Sequence, residues 1–239
     1  MFNKTIRPPA IDWLHKFDQK KNSVKNSALE AFYSTPIPSG DTPISDVVFL
    51  AMDFETTGLD AKQDDIITIG TVPFTLNRVF LNKARHWTVR PRKKLAEESI
   101  IIHGITHNDI LDAPDLSEIY EDVIGQMAGH ITVVHYHRIE REFFDSALRS
   151  RINEGIEFPV VDTMFNESLV QNKLAGGLWN MLKGKKPKSV RLGASRSRYG
   201  LPPYTPHHAL TDAIATAELL QAQIAHHYTP DTPLNAIWL

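Results

Sequence analysis

The stretch Val47–Leu59, VVFLAMDFETTGL, decides how this chain folds. Its first six residues are apolar and include two β-branched valines, a composition typical of a buried strand. Side chains alternate between the faces of a strand, so Asp53 and Glu55 point to one side while Phe54 points back into the core. Two carboxylates about 7 Å apart at a strand end repel one another unless a cation lies between them. The stretch therefore predicts either a site for a hard cation such as Mg²⁺ or Mn²⁺, or an ordinary solvated acidic strand end.

The composition is that of an ordinary globular protein. Of the 239 residues, 42% are hydrophobic and 23% are charged, and the formal net charge is −2. This balance does not by itself indicate a nucleic-acid binder, so such a role would rest on local basic clusters. The chain has no cysteine, which excludes disulfides, thiolate zinc sites and cysteine nucleophiles. No stretch is apolar enough to cross a membrane and the start lacks a signal core, so we expect a cytoplasmic protein.

The spacing of apolar residues predicts an α/β fold. The first three predicted strands follow one another closely enough to form a meander, and the later strands alternate with helices. This order implies a mixed β-sheet, a three-strand meander plus two further strands, flanked by helices. The predicted strands are residues 47–52, 66–72, 78–89, 131–134 and 160–163, and the predicted helices include residues 115–127, 138–152 and 209–225.

Residues 1–45 look like a helical extension of this domain, which we place at residues 46–239. Helical spacing of apolar residues predicts two short amphipathic helices, followed by a proline-rich linker at residues 34–43. The apolar residues are Ile11, Trp13, Leu14 and Phe17 in the first helix, and Leu29, Phe32 and Tyr33 in the second. These helices either pack on the domain or form an arm that docks a protein partner.

A segment rich in glycine and proline, residues 172–206, carries a run of cations. Seven lysines and arginines lie between residues 183 and 198, with no acidic residue among them. By charge alone, this segment is either a solvated mobile loop or a loop that faces a nucleic acid. The seven cations are Lys183, Lys185, Lys186, Lys188, Arg191, Arg196 and Arg198.

Two further stretches place ionisable side chains where strands and helices meet. Glu140 follows the strand at 131–134 and lies near the start of a helix, where it either projects over the strand ends or pairs with a neighbouring arginine. Pro206 suits the approach to a helix, so His207 lies in the junction ahead of the helix that carries Asp212. The paired histidines here could be zinc ligands, but the lack of cysteine and the many carboxylates disfavour zinc.

These stretches occur in the order, and near the spacing, of a known family. Over about residues 46–222 the chain resembles the DnaQ-like, DEDDh-type 3′–5′ exonucleases, which include the epsilon proofreading subunit of bacterial DNA polymerase III and RNase T. The matching motifs are Asp53–Leu59, the H-G-I-T element at residues 103–106, and His207–Ala213. One motif departs from the family pattern H-N-A-x-F-D, because residues 135–140 read H-Y-H-R-I-E. The glutamate in place of aspartate puts the metal geometry and the preference between Mg²⁺ and Mn²⁺ in question.

The resemblance implies a ribonuclease-H-like fold and a metal-dependent 3′–5′ exonuclease. Such an enzyme would hydrolyse terminal phosphodiesters of single-stranded nucleic acid, DNA in preference to RNA, to nucleoside 5′-monophosphates. Two divalent ions, Mg²⁺ or Mn²⁺, would be held by the four carboxylates and would activate the attacking water. His207 would be the general base, since histidine exchanges protons near neutral pH. The four carboxylates are those of Asp53, Glu55, Glu140 and Asp212.

The same resemblance implies the contacts of a substrate that has a free 3′ end. The terminal nucleotide would contact Thr56, Thr57, Gly58, Leu59 and His103. Lys183, Lys185 and Lys186 would follow the upstream phosphates, as in other single-strand binders. Asp162, in a D-T pair at the end of a strand, is expected to be structural rather than a metal ligand.

Two alternatives stay open. One is an enzyme of the same chemistry that trims RNA or degrades oligoribonucleotides, because nothing in the motifs separates deoxyribose from ribose. The other is a catalytically weak module that binds nucleic acid or a polymerase, docked through residues 1–45, and Glu140 in place of aspartate is its main support. A purely structural domain would leave five converging ionisable groups unexplained.

Overall fold

The chain folds around one mixed sheet with helices on both sides, seen in a computed structural model that describes residues 7–92, 110, 112–175 and 188–239. The strands are β1 (Phe49–Thr56), β2 (Ile66–Thr75), β3 (Arg78–Val79), β4 (Arg85–Thr88), β5 (Ile131–Val134) and β6 (Val160–Asp162). The helices are α1 (Trp13–Lys21), α2 (Ser27–Ser34), α3 (Leu116–Met127), α4 (Arg138–Ile152), α5 (Thr163–Ala175), α6 (Leu192–Arg198) and α7 (Ala209–His227). The predicted α/β class and mixed sheet are confirmed.

Strand β1 lies in the interior of the sheet and carries the first acidic motif. It runs antiparallel to β2 along its whole length and parallel to β5 only from Phe49 to Ala51. Strand β6 extends the parallel side, and β3 and β4 both pair with the other edge of β2. Beyond Ala51, β1 has no ladder to β5, so Asp53 and Glu55 lie at an opening between these two strands.

The predicted strand at residues 78–89 is wrong as one continuous element, and this raises the strand number from five to six. The chain forms β3, turns through a 3₁₀ segment at Leu81–Lys83, and resumes as β4. The cause lies in the partner strand, because Pro73 of β2 has no N–H to donate to a continuing ladder. The N–H of Phe80 bonds to the carbonyl of Pro73 at 2.9 Å, and the chain turns away there.

Helices α1 and α2 pack on the domain. Trp13, Phe17, Leu29 and Phe32 are buried in the same hydrophobic core as the residues of β1. The indole N–H of Trp13 donates to the carbonyl of Leu239 at 3.0 Å, which ties α1 to a distant part of the chain. Of the two alternatives for this segment, the structure shows packing, and a protein partner for it stays a prediction. None of the described helices combines the length and apolar composition that a membrane crossing needs.

Gly70 of β2 is the point where α7 rests on the sheet. A Cβ at this position would overlap backbone atoms of Ala209 and Leu210. Because backbone atoms cannot rotate aside, we expect Gly70→Ala to destabilise the fold by about 1–3 kcal/mol, the usual cost of overpacking. Urea unfolding measures the change. The control is Gly125→Ala in α3, where a Cβ meets no atom within 4 Å and should add about 0.5–1 kcal/mol of stability. Equal stabilities for the two variants would contradict the close contact at Gly70.

Candidate active site

Three carboxylates from β1 and α7 converge at the opening beside β1. Oxygen atoms of Asp53, Glu55 and Asp212 lie within 4.8 Å of one another. Strand alternation places the first two on one side of β1, while Phe54 between them is buried in the core. Asp212 comes from the first turn of α7, which reaches the strand because Gly70 allows the helix to approach closely. The structure thus brings together three of the four predicted metal ligands.

The electrostatics of this cluster favour a cation. Burial raises the pKa of Asp53 well above the ordinary carboxyl value, and the charges of Glu140, Asp212 and Glu55 raise it further. Burial also raises the pKa of Asp212, against a hydrogen bond from Tyr204 that lowers it. A divalent ion among these groups would remove their mutual repulsion, and oxygen ligands of this kind suit Mg²⁺ or Mn²⁺. The residues therefore fit a divalent metal ion.

Glu140, the fourth predicted ligand, lies next to this cluster but outside the compact group of three. It is 2% exposed, in the first turn of α4. Burial raises the pKa of Glu140 well above the ordinary carboxyl value, and backbone N–H groups of Glu140 itself and of Phe54, the residue between the two acids of β1, act to lower it. Its Oε2 atom is buried without a hydrogen-bond partner. A buried carboxylate oxygen in that state is costly, and a bound cation nearby is the interaction that would satisfy it.

His207 lies in the turn ahead of α7, as its sequence position predicts. Its φ is +70°, in the left-handed region that residues with a Cβ rarely adopt. The backbone N–H groups of His207 and His208 both donate to Oδ2 of Asp212, at 2.8 and 3.1 Å. Asp212 therefore has two roles in this structure, as one of the clustered carboxylates and as the acceptor that closes the turn.

The carboxylates open into a cleft of about 630 Å³, within the range of ligand-binding pockets. His135 and His207 both line it. The ring of His135 is fixed by Oγ1 of Thr163 at 2.8 Å and the carbonyl of Val190 at 3.0 Å. Burial lowers the pKa of His135 to about 4, so this ring is neutral at pH 7. His135 is therefore a wall of the cleft rather than a group that exchanges protons there.

Another part of the cleft lining comes from a segment that sequence analysis treated as a loop. The lining includes Arg191, the N-cap residue of α6, Leu192 in its first turn, and Tyr204 and Pro206 after the helix. Tyr204 was not singled out from the sequence, although its hydroxyl hydrogen-bonds to Asp212. The only sequence signal for this residue was an aromatic side chain three positions before His207.

The prediction of a solvated or phosphate-facing loop is wrong for part of the basic segment. Arg196 is 3% exposed, donates to the carbonyl of Ala215 at 2.7 Å and pairs with Glu218 at 2.7 Å. Arg198 pairs with the buried Glu167 at 2.9 Å. These two arginines hold α6 on the domain and are not available to phosphates, whereas Arg191 is exposed and lines the cleft. His103, with the rest of the H-G-I-T element, and Lys183, Lys185 and Lys186 lie outside the described residues.

The turn after β1 is shaped by Asp64, a residue that the motif alone did not reveal. The hydroxyl of Thr57 donates to Asp64 Oδ1 at 3.2 Å, and the N–H of Asp60 donates to Oδ2 at 2.9 Å. The hydroxyl of Thr56 donates to the carbonyl of Gly58 at 2.6 Å. Both threonines predicted to contact substrate thus also stabilise the turn. Leu59 is 86% exposed beyond it, so an apolar side chain is presented to solvent where a base could pack.

Asp162 makes contacts that agree with the structural role predicted for it. Its two oxygens accept the backbone N–H groups of Tyr136 and His137 at 3.2 and 2.9 Å, and of Met164 and Phe165 at 2.9 and 3.0 Å. They also bond to Nδ1 of His137 at 2.7 Å. Asp162 therefore joins the start of α4 to the start of α5, and its oxygens are occupied by the protein.

Comparisons with known proteins agree with this geometry. The RNase_T exonuclease family model matches residues 50–220. A DNA polymerase III epsilon subunit from Treponema pallidum is 30% identical over 182 residues, which span 76% of this chain and 78% of that protein. A PolC-type DNA polymerase III from Thermotoga maritima is 28% identical over 181 residues, but the match spans 76% of this chain and only 12% of the polymerase.

Solved structures share the fold. Cell-death related nuclease 4 has a TM-score of 0.62 at 17% identity, covering 77% of this chain and 65% of that one. Exonuclease X, solved in complex with 5′-overhanging duplex DNA, has a TM-score of 0.55 at 23% identity, covering 78% of this chain and 98% of that one. The ribonuclease-H-like fold implied by the motifs is confirmed. With the family model matching most of its length, the chain belongs to the exonuclease family and is a DnaQ-like 3′–5′ exonuclease.

Proposed function

We propose that this exonuclease releases nucleoside 5′-monophosphates from the 3′ end of single-stranded nucleic acid, with DNA preferred over RNA. The observation that carries the proposal is the convergence of Asp53, Glu55 and Asp212 in a cleft that His207 also lines. The similarity to subunits of DNA polymerases supports DNA as the preferred substrate. The exposed Leu59 at the edge of the acidic motif supports an unpaired terminal base, which needs an apolar surface to pack on.

Divalent ions are part of this proposal. Two ions, Mg²⁺ or Mn²⁺, would be held by Asp53, Glu55, Glu140 and Asp212. When bound, such ions lower the pKa of the attacking water and stabilise charge on the leaving 3′ oxygen. The raised pKa of Asp53 and the unpartnered oxygen of Glu140 support this assignment. A cation would offset the repulsion between the carboxylates and would give the Glu140 oxygen a partner. The additional methylene of Glu140, compared with aspartate, still leaves its carboxylate beside Phe54 on β1.

His207 is assigned as the general base by its exposure. Of the two histidines that line the cleft among the described residues, His135 has both ring nitrogens engaged by Thr163 and Val190. His207 is exposed, and its backbone is fixed by Asp212 next to the carboxylates. It can therefore take the proton of the attacking water and pass it to solvent.

Arg191 is expected to bind a phosphate of the strand that leads into the cleft. Arg191→Gln should raise KM for a long oligonucleotide, leave kcat nearly unchanged and reduce the slope of log K against log salt by about 0.7, the value for one phosphate contact on a single strand. Binding titrations at several salt concentrations measure the slope. Lys21→Gln, an exposed charge on α1, is the matched control. A slope equal to that of the wild type would remove Arg191 from the substrate path.

The test of the proposed function uses 3′- and 5′-labelled DNA and RNA oligonucleotides of one sequence, single-stranded and duplex, with Mg²⁺, Mn²⁺ or EDTA. A stepwise ladder from the 3′ end of single-stranded DNA, lost in EDTA, is expected. Faster degradation of RNA would move the assignment to an exoribonuclease. No cleavage by folded protein with either metal would leave a nucleic-acid-binding module instead.

A further inference from the structure

Two imidazole rings stack beside the turn that carries His207. The rings of His86 and His208 have centroids 4.7 Å apart and an interplanar angle of 16°. His86 belongs to β4, and His208 is the residue immediately before α7. The stack therefore joins the outer strand of the sheet to the start of the helix that carries Asp212.

The turn beside this stack has a strained backbone at His207 and a weak helix cap at His208. His207 has a left-handed backbone, which a residue with a Cβ adopts only when its surroundings impose it. The side chain of His208 caps α7 through a bond from the N–H of Thr211, but at 3.4 Å this bond is long and weak. The stronger contacts to the turn are the two N–H bonds to Asp212, a carboxylate that metal ions would also engage. The stack on His86 is a contact to the turn that does not use that carboxylate.

The position of His86 in the sheet suits this role. In the ladder between β2 and β4, His86 lies opposite Gly70. Gly70 is also the residue against which the backbone of Ala209 and Leu210 packs. The start of α7 thus contacts the sheet at two neighbouring points. Its backbone packs closely on Gly70, and His208 stacks on the ring of His86.

We propose that His86 is a positioning residue, which stacks on His208 and so holds His207 in the orientation needed to accept a proton. His86 acts through the turn and does not touch the reacting atoms. The proposal rests on the proposed function, because it needs His207 to be the general base. It predicts that loss of the ring at residue 86 lowers kcat, since a catalytic group displaced by about 1 Å can lose up to 10²-fold in rate.

The experiment compares kcat and KM on single-stranded DNA for the wild type, His86→Ala and His86→Phe. We expect His86→Ala to lower kcat by about tenfold or more with KM unchanged, and His86→Phe, which keeps a flat ring, to restore most of kcat. His86→Ala combined with His208→Ala should be no slower than the slower single variant, because both remove the same contact. Arg85→Ala, the neighbouring exposed residue of β4, is the control and should keep the wild-type kcat.

The outcomes separate this proposal from the one on which it rests. An inactive wild type overturns both. Full activity in a His207 variant overturns the assignment of His207 as the general base, and with it the positioning role of His86. If the wild type is active and a His207 variant is slow, wild-type kcat in His86→Ala overturns only the positioning role. An equally low kcat in His86→Phe and His86→Ala also overturns the positioning role. A phenylalanine ring can replace the stacking contact with His208, so its failure to restore kcat would mean that the loss has another cause, such as a general loss of stability.

Discussion

Asp53→Asn is expected to abolish hydrolysis while leaving the metal-free fold at least as stable as that of the wild type. If Asp53 is a metal ligand, as proposed, its loss removes several kcal/mol of transition-state stabilisation, so kcat should fall at least about a thousandfold. The expected stability of the metal-free Asp53→Asn variant follows from the raised pKa of Asp53 in the wild type. A carboxyl whose pKa is higher in the folded than in the unfolded state destabilises the fold when ionised, and this penalty is present at pH 7 and relieved as pH falls. Asparagine carries no charge and avoids the penalty.

The second readout for this variant is Tm, measured by thermal unfolding at increasing concentrations of the metal ion. Ligands that bind the folded state raise its apparent stability in proportion to the logarithm of their concentration. Mg²⁺ or Mn²⁺ should therefore raise Tm of the wild type, and the rise should be lost in Asp53→Asn. Asp46→Asn, an exposed carboxylate outside the cleft, is the matched control and should keep both turnover and the metal-dependent rise. Wild-type turnover in Asp53→Asn would remove this residue from the metal site.

Local patterns were enough to predict the elements that carry the acidic residues. The apolar run before Asp53 and the alternation through Glu55 give β1 and the side on which these carboxylates stand. The predicted helix at residues 138–152 coincides with α4. The proline before His207 and His208 places both histidines ahead of α7. Each of these features depends on neighbours within a few positions, where periodicity and backbone preference dominate.

The features that sequence analysis missed depend on residues far apart in the chain. The break at Phe80 is set by Pro73 across the sheet, which removes a donor from the ladder. The run of cations was read as exposed because Glu218, the partner of Arg196, lies 22 positions away along the chain. The stack of His86 on His208 joins β4 to the residue before α7, and no local pattern in the sequence connects these two segments. Pairings of this kind become visible only when the sheet has brought the segments together.

His207→Asn is expected to lower kcat by about 10²–10⁴-fold, the usual contribution of a general base, without weakening metal binding. Asparagine is the suitable replacement because it tolerates the left-handed backbone found at this residue, so the turn that Asp212 closes should persist. Single-turnover kinetics on a 3′-labelled oligonucleotide measure the chemical step. His226→Asn, an exposed histidine in the last turn of α7, is the control.

The effects of Asp53→Asn and His207→Asn on metal binding should differ, and this difference distinguishes a metal ligand from a general base. Asp53→Asn is expected to lose both hydrolysis and the metal-dependent rise in Tm, whereas His207→Asn should lose hydrolysis and keep the rise. The difference follows from position, because Asp53 contributes an oxygen to the carboxylate cluster and His207 contacts that cluster through the backbone N–H that Asp212 accepts. A slowing of less than tenfold in His207→Asn would mean that another group accepts the proton. His137 would then be the next residue to replace, since its ring is half-exposed and bonded through Nδ1 to Asp162.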